Sequence, residues 1–262
     1  MDTASVQEAA DVLLGAYASG IPVPPLTASR PDLSVTDAYA IQLAQVEAWT
    51  KGGAVVKGHK VGLTSIAMQR QLGVSQPDFG HLTDTMFLPE GVTADAGRFL
   101  QPMAEPEIAF VLGRRLAGPG VTTAEALAAV DFVLPALEII DSRIADWKIT
   151  LADSVADNAS SGAVVLGGRP VRPENLDLSL TGGLLLRNGR VAGTGAGGAV
   201  LGSPVNALVW LANTLGPLGV ALDAGHVVLA GSVCAAIPFG PGDTVGAAFD
   251  RIGTATITFS EK

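Results

Sequence analysis

Apolar positions follow two different periods along this chain. Through roughly the first fifty residues they recur every three or four positions, the spacing of an amphipathic helix. Val6, Ala9, Ala10, Leu13, Leu14 and Tyr17 make the first stripe. Ser5 and Glu8 stand in capping-box spacing at its start, and Gly20 with Pro22, Pro24 and Pro25 ends it. Ser34 and Asp37 open a second helix, whose stripe runs through Tyr39, Leu43 and Val46 and stops at Gly52 and Gly53. From Ala54 the pattern changes to short runs of Val, Ile and Leu broken by Gly and Pro, which predicts β-strands. Three helices are expected to interrupt them. One runs from Ile66 to Leu72 between Ser65 and Gly73, one follows Thr122 with Glu125 in capping-box spacing, and one opens at Ser203 and Pro204 and passes Leu208, Leu211 and Leu215 to Gly216. Strands at 227–230, 244–249 and 254–259 close the chain. The prediction is an α+β protein, with a small N-terminal helical region over 1–53, a β-rich domain over 54–262 and no internal repeat.

One stretch departs from this pattern. Between Glu105 and Gly162, carboxylates sit inside apolar runs that would otherwise be buried strands: EPEIAFVL, then VLPALEIIDSR, then DWKITLADSVADNASSG. Strand side chains alternate faces, so Glu105 and Glu107 point one way and Pro106 the other. Val133 to Ile140 predicts the next strand, with Glu138 on the face of Leu134, Ala136 and Ile140. Two ionised carboxylates beside a core repel each other and lose hydration, a cost of several kcal/mol per ion unless positive charge lies between them. Two readings stand at this point: a solvated strand face or structural ion pair, and a divalent-cation site. For the second, oxygen donors with no Cys or His nearby favour Mg²⁺ or Mn²⁺ over Zn²⁺ or Cu²⁺.

GHKVGLTS followed by QPDFG, then EPEIAFVL, LEIIDSRIADWKI, VADNASS and GSPVNALVWLANTLG, in this order and spacing, resemble the 2-keto-4-pentenoate hydratase family. That family groups with the 4-oxalocrotonate decarboxylases inside the fumarylacetoacetate hydrolase superfamily, and the resemblance runs from about Val55 to Phe259. It implies a mixed-sheet roll of the fumarylacetoacetate hydrolase C-terminal type, with Mg²⁺ or Mn²⁺ held by Glu105, Glu107 and Glu138. Strand alternation leaves Lys60 open as a snorkelling edge residue, whereas the resemblance turns it into the active site. Asp78 is by default a turn residue before Gly80; the resemblance implies that it moves a proton. Arg143, Ser160 and Ser161 are candidates to bind substrate. Asp141 and Arg143 also suit a structural pair behind the strand of Glu138, and Asn158, Ser160 and Ser161 also suit turn caps.

The reaction implied is addition of water to a 2-hydroxy-2,4-dienoate, giving a 4-hydroxy-2-oxoalkanoate in the catabolism of aromatic rings or sterols. QPDFG and the VLGG that follows DNASSG favour this branch over decarboxylation of 4-oxalocrotonate, which uses the same chelate for loss of CO₂. A catalytically silent structural subunit is a further alternative, and the intact Lys60 and three acids count against it. The family's habit of assembling implies a homo-oligomer, and analogy allows a complex with the decarboxylase of the same pathway.

Composition narrows the rest. The 262 residues, 48% of them hydrophobic and 32 of them Gly, belong to a globular chain, and a net charge of -9 argues against a nucleic-acid surface. No apolar run approaches the roughly 18 residues of a membrane span, and the start at Met1, Asp2 and Thr3 lacks a basic segment and apolar core, so a cytoplasmic location is expected. A single cysteine, Cys234, leaves no intrachain disulfide and sits in the apolar SVCAAI as an expected buried spectator. His59, His81 and His226 show no ligand spacing, and His226 is expected at the surface. Gly193, Gly195 and Gly198 satisfy G-x-G-x-x-G, but they follow the polar hairpin RNGRVAG and lack the acid some 20 residues on. They are expected to serve a tight loop rather than a nicotinamide dinucleotide.

Overall fold

The computed structural model describes residues 1–261. The helical region holds α1 (Thr3–Ser19), α2 (Leu26–Ser29) and α3 (Val35–Lys51). α1 begins earlier than its stripe predicts, because Asp2 rather than Ser5 is the N-cap and accepts the Ser5 backbone N–H at 2.8 Å. Ser34 caps α3 by accepting the Asp37 N–H at 3.1 Å. The rest of the chain runs β1 (Val56–Gly62), α4 (Ile66–Leu72), β2 (Asp78–Thr83), β3 (Phe87–Leu88), β4 (Thr93–Ala94), β5 (Met103–Leu112), α5 (Thr123–Ala129), β6 (Val130–Ile140) and α6 (Leu151–Ala156). It continues as β7 (Ser161–Leu166), β8 (Gly182–Arg187), β9 (Arg190–Ala196), α7 (Pro204–Leu215), β10 (Val227–Ser232), β11 (Ile237–Pro238), β12 (Thr244–Phe249) and β13 (Gly253–Phe259). The Thr122 and Glu125 capping box forms as predicted, and a second box, Thr150 with Asp153, opens α6.

An eight-stranded mixed sheet has the order β2-β1-β10-β5-β6-β7-β3, with β11 pairing β5, and a five-stranded sheet has the order β4-β13-β12-β8-β9. The two pack face to face. Ile108, Phe110, Leu137 and Ile139 from the first meet Val245, Ala247 and Ile257 from the second in one core. The back of the first sheet is also apolar over part of its length, where Ala109, Leu134, Ala136 and Leu229 cluster. β5 is therefore buried on both faces, which is why Ile108 to Leu112 lacks the polar alternation of an ordinary half-exposed strand. Glu105, Glu107 and Glu138 lie on this back face, away from the second sheet.

The helices pack at the β2 edge of the first sheet and on the segment between β6 and β7. α1 and α3 bury Leu13 and Ile41 against Ile144, Val155 and Ala156. From α3, Gln42 donates to the carbonyl oxygens of Val155 at 2.8 Å and Phe79 at 3.0 Å, and Gln45 donates to that of Ala156 at 2.7 Å. The helical region thus shares a core with α6 and anchors the turn that follows it.

Gly193 and Gly195 lie within β9, in a hairpin with β8 that turns at Asn188 and Gly189, both at positive φ. A Cβ on Gly195 would stand 1.9 Å from the Val233 carbonyl oxygen, so that glycine serves close backbone approach. Among the described residues, no helix is long and apolar enough to cross a membrane.

Candidate active site

β5 and β6 pair antiparallel with Glu105 directly opposite Glu138, and Glu107 follows two residues along on the same face. One carboxylate oxygen from each of the three lies within 4.8 Å of the others. Glu107 and Glu138 are buried, while Glu105 keeps an edge on a cavity. Glu107 Oε2 accepts the Gly231 backbone N–H at 2.7 Å. Neither oxygen of Glu138 has a hydrogen-bond partner, although Oε1 lies 3.3 Å from Nζ of Lys60. Burial raises the pKa of all three, and the charge of Glu138 pushes Glu105, to about 7, and Glu107 further up. One ammonium cannot balance three desolvated carboxylates. That ammonium together with a hard divalent cation can, and these residues fit such an ion by donor chemistry, spacing and the orphaned oxygens of Glu138.

Lys60 reaches this face from β1, as its alternation against His59 and Val61 requires. Its Nζ donates to the Ala159 carbonyl at 3.0 Å. Burial works against the ammonium, but Glu138, Asp78, Glu105 and Glu107 together raise its pKa and keep it charged. Asp78 opens β2 opposite Gly62. Its Oδ2 accepts the Ser154 hydroxyl at 3.2 Å, its Oδ1 has no partner, and burial raises its pKa against the pull of Lys60. A Cβ at Gly62 would meet Asp78 Oδ1 at 2.1 Å, so this glycine makes room for the carboxyl. The expected turn at Gly80 is absent: Gly80 pairs with Lys60 inside β2, and a Cβ there would strike the Asn158 carbonyl oxygen at 2.4 Å.

The segment after α6 is strained. Asn158, Ala159 and Ser160 all have positive φ, 52°, 50° and 54°, a conformation that costs of order 1–3 kcal/mol per non-glycine residue. Asn158 holds it by accepting the His81 N–H at 2.8 Å and donating to the His81 carbonyl at 2.9 Å. The outcome is that the Ala159 carbonyl faces Lys60 and the buried, unpartnered Ser160 Oγ belongs to the cavity wall. Ser161 Oγ instead donates to the Asn158 carbonyl at 2.8 Å, the turn-capping arrangement, and is not on the wall.

Arg143 also lies off the cavity. It is fully buried behind the sheet, with Nε 2.6 Å from Asp157 Oδ1 and its guanidinium 4.4 Å from the Tyr17 ring centre. Asp141, the partner expected from sequence, is 3.8 Å away and accepts the backbone N–H groups of Leu100 and Gln101. The chain bends after Ile140, and this carries the guanidinium toward α1, where a dedicated carboxylate compensates its desolvation. Arg143 supports the 158–160 turn through Asp157 and is not on the wall of the cavity that Lys60 and the glutamates share, contrary to the expectation that it binds substrate.

The cavity measures about 620 Å³ and brings together Lys60, Asp78, Glu105, Glu107 and Ser160. Cys234 is on its wall and only half-buried, not sealed in the core, and burial followed by the charge of Glu105 pushes its thiol up, so it stays protonated. Ser154, the Gly231 N–H and the apolar side chains of Met103, Ile140, Trp147 and Ile149 belong to the same site. No spacing in the sequence marks them. His59 and His81 are buried on the opposite face with ring centres 4.8 Å apart, burial holding both well below the usual histidine pKa, and His226 is partly buried beside them rather than freely exposed.

A family model described as fumarylacetoacetate (FAA) hydrolase C-terminal matches residues 61–260. The 2-keto-4-pentenoate hydratase of Paraburkholderia xenovorans (strain LB400) is 47% identical over 253 residues, 97% of this chain and 94% of the relative. The 2-hydroxyhexa-2,4-dienoate hydratase of Comamonas testosteroni is 46% identical over 239 residues, 90% of each. Among solved structures, the 4-oxalocrotonate decarboxylase from Pseudomonas putida G7, complexed with magnesium and adipate, superposes with a TM-score of 0.95 at 34% identity, covering 99% of this chain and 98% of that one.

Proposed function

Because the chain belongs to the 2-keto-4-pentenoate hydratase family of the fumarylacetoacetate hydrolase superfamily, we propose that it is a metal-dependent hydro-lyase adding water to a 2-hydroxy-2,4-dienoate to give a 4-hydroxy-2-oxoalkanoate. The observation that carries this reading is one cavity walled by Glu105 and Glu107 of a three-carboxylate cluster, a charged lysine and a separate carboxyl with an unpartnered oxygen, with Glu138 completing the cluster beneath the wall. Glu105, Glu107 and Glu138 would hold the ion, Mg²⁺ or Mn²⁺ by their chemistry. When bound, it supplies positive charge for the substrate's C1 carboxylate and C2 oxygen.

The chain's own groups then have distinct tasks. The Lys60 ammonium, pinned by Ala159 and Glu138, offers a fixed charge to the negative charge that gathers on the substrate as the dienol shifts toward the ketone. Ser160 Oγ is a free donor for the substrate carboxylate. Hydration moves the proton of the C2 hydroxyl to the far carbon of the diene, leaving a ketone at C2, and then adds the hydroxyl of water at C4 and its other proton at C3. Asp78 is the proton carrier, since Ser154 orients one oxygen while the other is free, and its raised pKa brings proton exchange closer to neutral pH.

Loss of dienoate absorbance on mixing with enzyme tests the reading. Chelator should abolish it and Mg²⁺ or Mn²⁺ should restore it; full turnover by metal-free enzyme, or CO₂ release from 4-oxalocrotonate faster than hydration, overturns it. Homo-oligomerisation belongs to the same proposal, supported by exposed apolar side chains such as Ile21, Val191 and Leu180 on the surface of one chain. Sedimentation at micromolar concentration is expected to show an assembly, and a monomer alone would contradict it.

A further inference from the structure

We propose that a second cavity, separate from the one that the glutamates line, binds an uncharged ring compound through a carbonyl or hydroxyl oxygen. The proposal stands independently of the hydratase reading.

This cavity of about 680 Å³ lies between the ends of α1 and α3, the segment after β2 and the segment before β5. Among the described residues it shares no wall residue with the active-site cavity. Tyr17, Trp49, Met86 and Phe99 give it apolar walls, with the Tyr17 and Trp49 rings edge to face at 5.5 Å. The buried Arg143 is part of the same wall.

Two buried donors are left over there. Asp157 takes Nε and Nη2 of Arg143, at 2.6 and 3.1 Å, and is not on the wall. Nη1 lies instead on the side of the wall residue Asp141, yet at 3.8 Å from Oδ2 it is too far for a hydrogen bond and has no partner. The Tyr17 hydroxyl has none either, and burial keeps it protonated. A buried donor without a partner has lost its hydration and gained nothing in return, so two of them beside one cavity point to an occupant. One water, with a volume of about 30 Å³, could serve Nη1 but would leave most of the space and the aromatic walls unused.

The groups on the wall show what the occupant must bring. Both oxygens of Asp141 accept backbone N–H groups of Leu100 and Gln101, and Asp84 Oδ1 accepts those of Val55 and Thr85. The hydroxyls of Thr83 and Thr85 bond to each other. The wall's acceptors are thus largely engaged while its donors are not, and the missing partner is an acceptor oxygen. Charge decides against an acid. Arg98 and Arg143 stand against Asp84, Asp141 and Asp157, and the wall at Trp49 and Gly52 is the C-terminal end of α3, where the helix dipole is negative. A carboxylate would gain the hydrogen bonds but meet that negative field, whereas a ketone, amide or alcohol oxygen gains them without it. Through Asp157 the same guanidinium holds the 158–160 turn, so one ion pair links the walls of the two cavities.

Calorimetry on the Mg²⁺-loaded protein with benzamide and benzoate, probes of nearly one shape, tests the proposal. Benzamide should bind once per chain, and benzoate at least about fivefold more weakly. Binding at a metal and a lysine would rank the two the other way, so their order tells which cavity is filled. Tyr17→Phe removes the unpartnered hydroxyl and keeps the ring over Arg143. It should leave the fold at least as stable and weaken benzamide by about three- to tenfold, the worth of one neutral hydrogen bond. Glu107→Gln, which spoils the metal site, should bind benzamide as the wild type does. No benzamide binding at about 10 mM, benzoate binding as tight as benzamide, unchanged affinity in Tyr17→Phe, or loss of binding in Glu107→Gln each overturns the proposal.

Discussion

Glu107→Gln is expected to abolish metal-dependent turnover while leaving the metal-free chain folded and at least as stable as the wild type. Glutamine keeps the shape of the side chain, and its carbonyl oxygen can still accept the Gly231 N–H that Glu107 Oε2 accepts at 2.7 Å. What disappears is one negative charge among three buried carboxylates. With a cation bound, that charge is part of its cradle; without one, it is a source of repulsion. Turnover should fall on the order of 10³-fold or more, equivalent to about 4 kcal/mol of lost stabilisation, and titration with Mn²⁺ should show binding lost.

The stability half of this prediction has a defined pH dependence. In the metal-free fold Glu105 titrates at about 7, above its ordinary value of 4.5, and Glu107 is raised in the same direction. A carboxyl with a raised folded pKa contributes stability that is fully present below its unfolded pKa and lost as pH rises through the folded one. Chelated wild type should therefore lose stability from these groups as pH rises from about 4.5 through their raised values, about 7 for Glu105, and Glu107→Gln should lose less over that rise. The buried histidines act in the opposite sense but are common to both proteins, so the difference between them isolates the acids. Chemical denaturation in chelator measures it; a mutant several degrees less stable than wild type at pH 7 would mean that Glu107 holds the fold together rather than an ion.

Asp78→Asn is expected to leave metal affinity nearly unchanged and to slow hydration by a factor on the order of 10² to 10⁴, the range for losing a general acid or base. Asp78 stands on β2, across Lys60 from the three glutamates, and is not among the acids that converge within 4.8 Å. The amide retains an acceptor for the Ser154 hydroxyl but cannot exchange a proton. The loss should fall on kcat more than on KM, since the role proposed for Asp78 is proton transfer at the reacting carbons and water rather than binding of the substrate carboxylate. Wild-type hydration by the mutant would remove Asp78 from the mechanism. A parallel fall in Mn²⁺ affinity would place it in the cradle instead.

Much of this site was legible along the chain because strand geometry is periodic. Once Glu105, Glu107 and Glu138 are placed in β-runs, alternation forces them onto common faces, and the register opposes Glu105 to Glu138. The same alternation turned Lys60 away from His59, and the helix punctuation by Ser34, Thr122, Pro204 and Gly216 appeared where the turn chemistry required it. The family relationship was legible for a related reason, since long motifs keep spacing as well as residue type.

Only the tertiary structure decided which flanking residues face the cavity, because no period governs the segment between β6 and β7. Three successive positive φ angles turn Ser160 toward the cavity and Ser161 away from it, and nothing in DNASSG announces them. Arg143 finds Asp157 rather than Asp141 because the bend after Ile140 sets which carboxylate is near, and a desolvated guanidinium takes the partner within hydrogen-bond reach. Asp78 became a strand residue because Gly80 is needed for contact with the Asn158 carbonyl, a demand made by a segment nearly eighty residues away. Local pattern determined which residue types the site contains and which strands carry them. Long-range packing decided which of their oxygens are left without partners, and those oxygens are the ones available to an ion and a substrate.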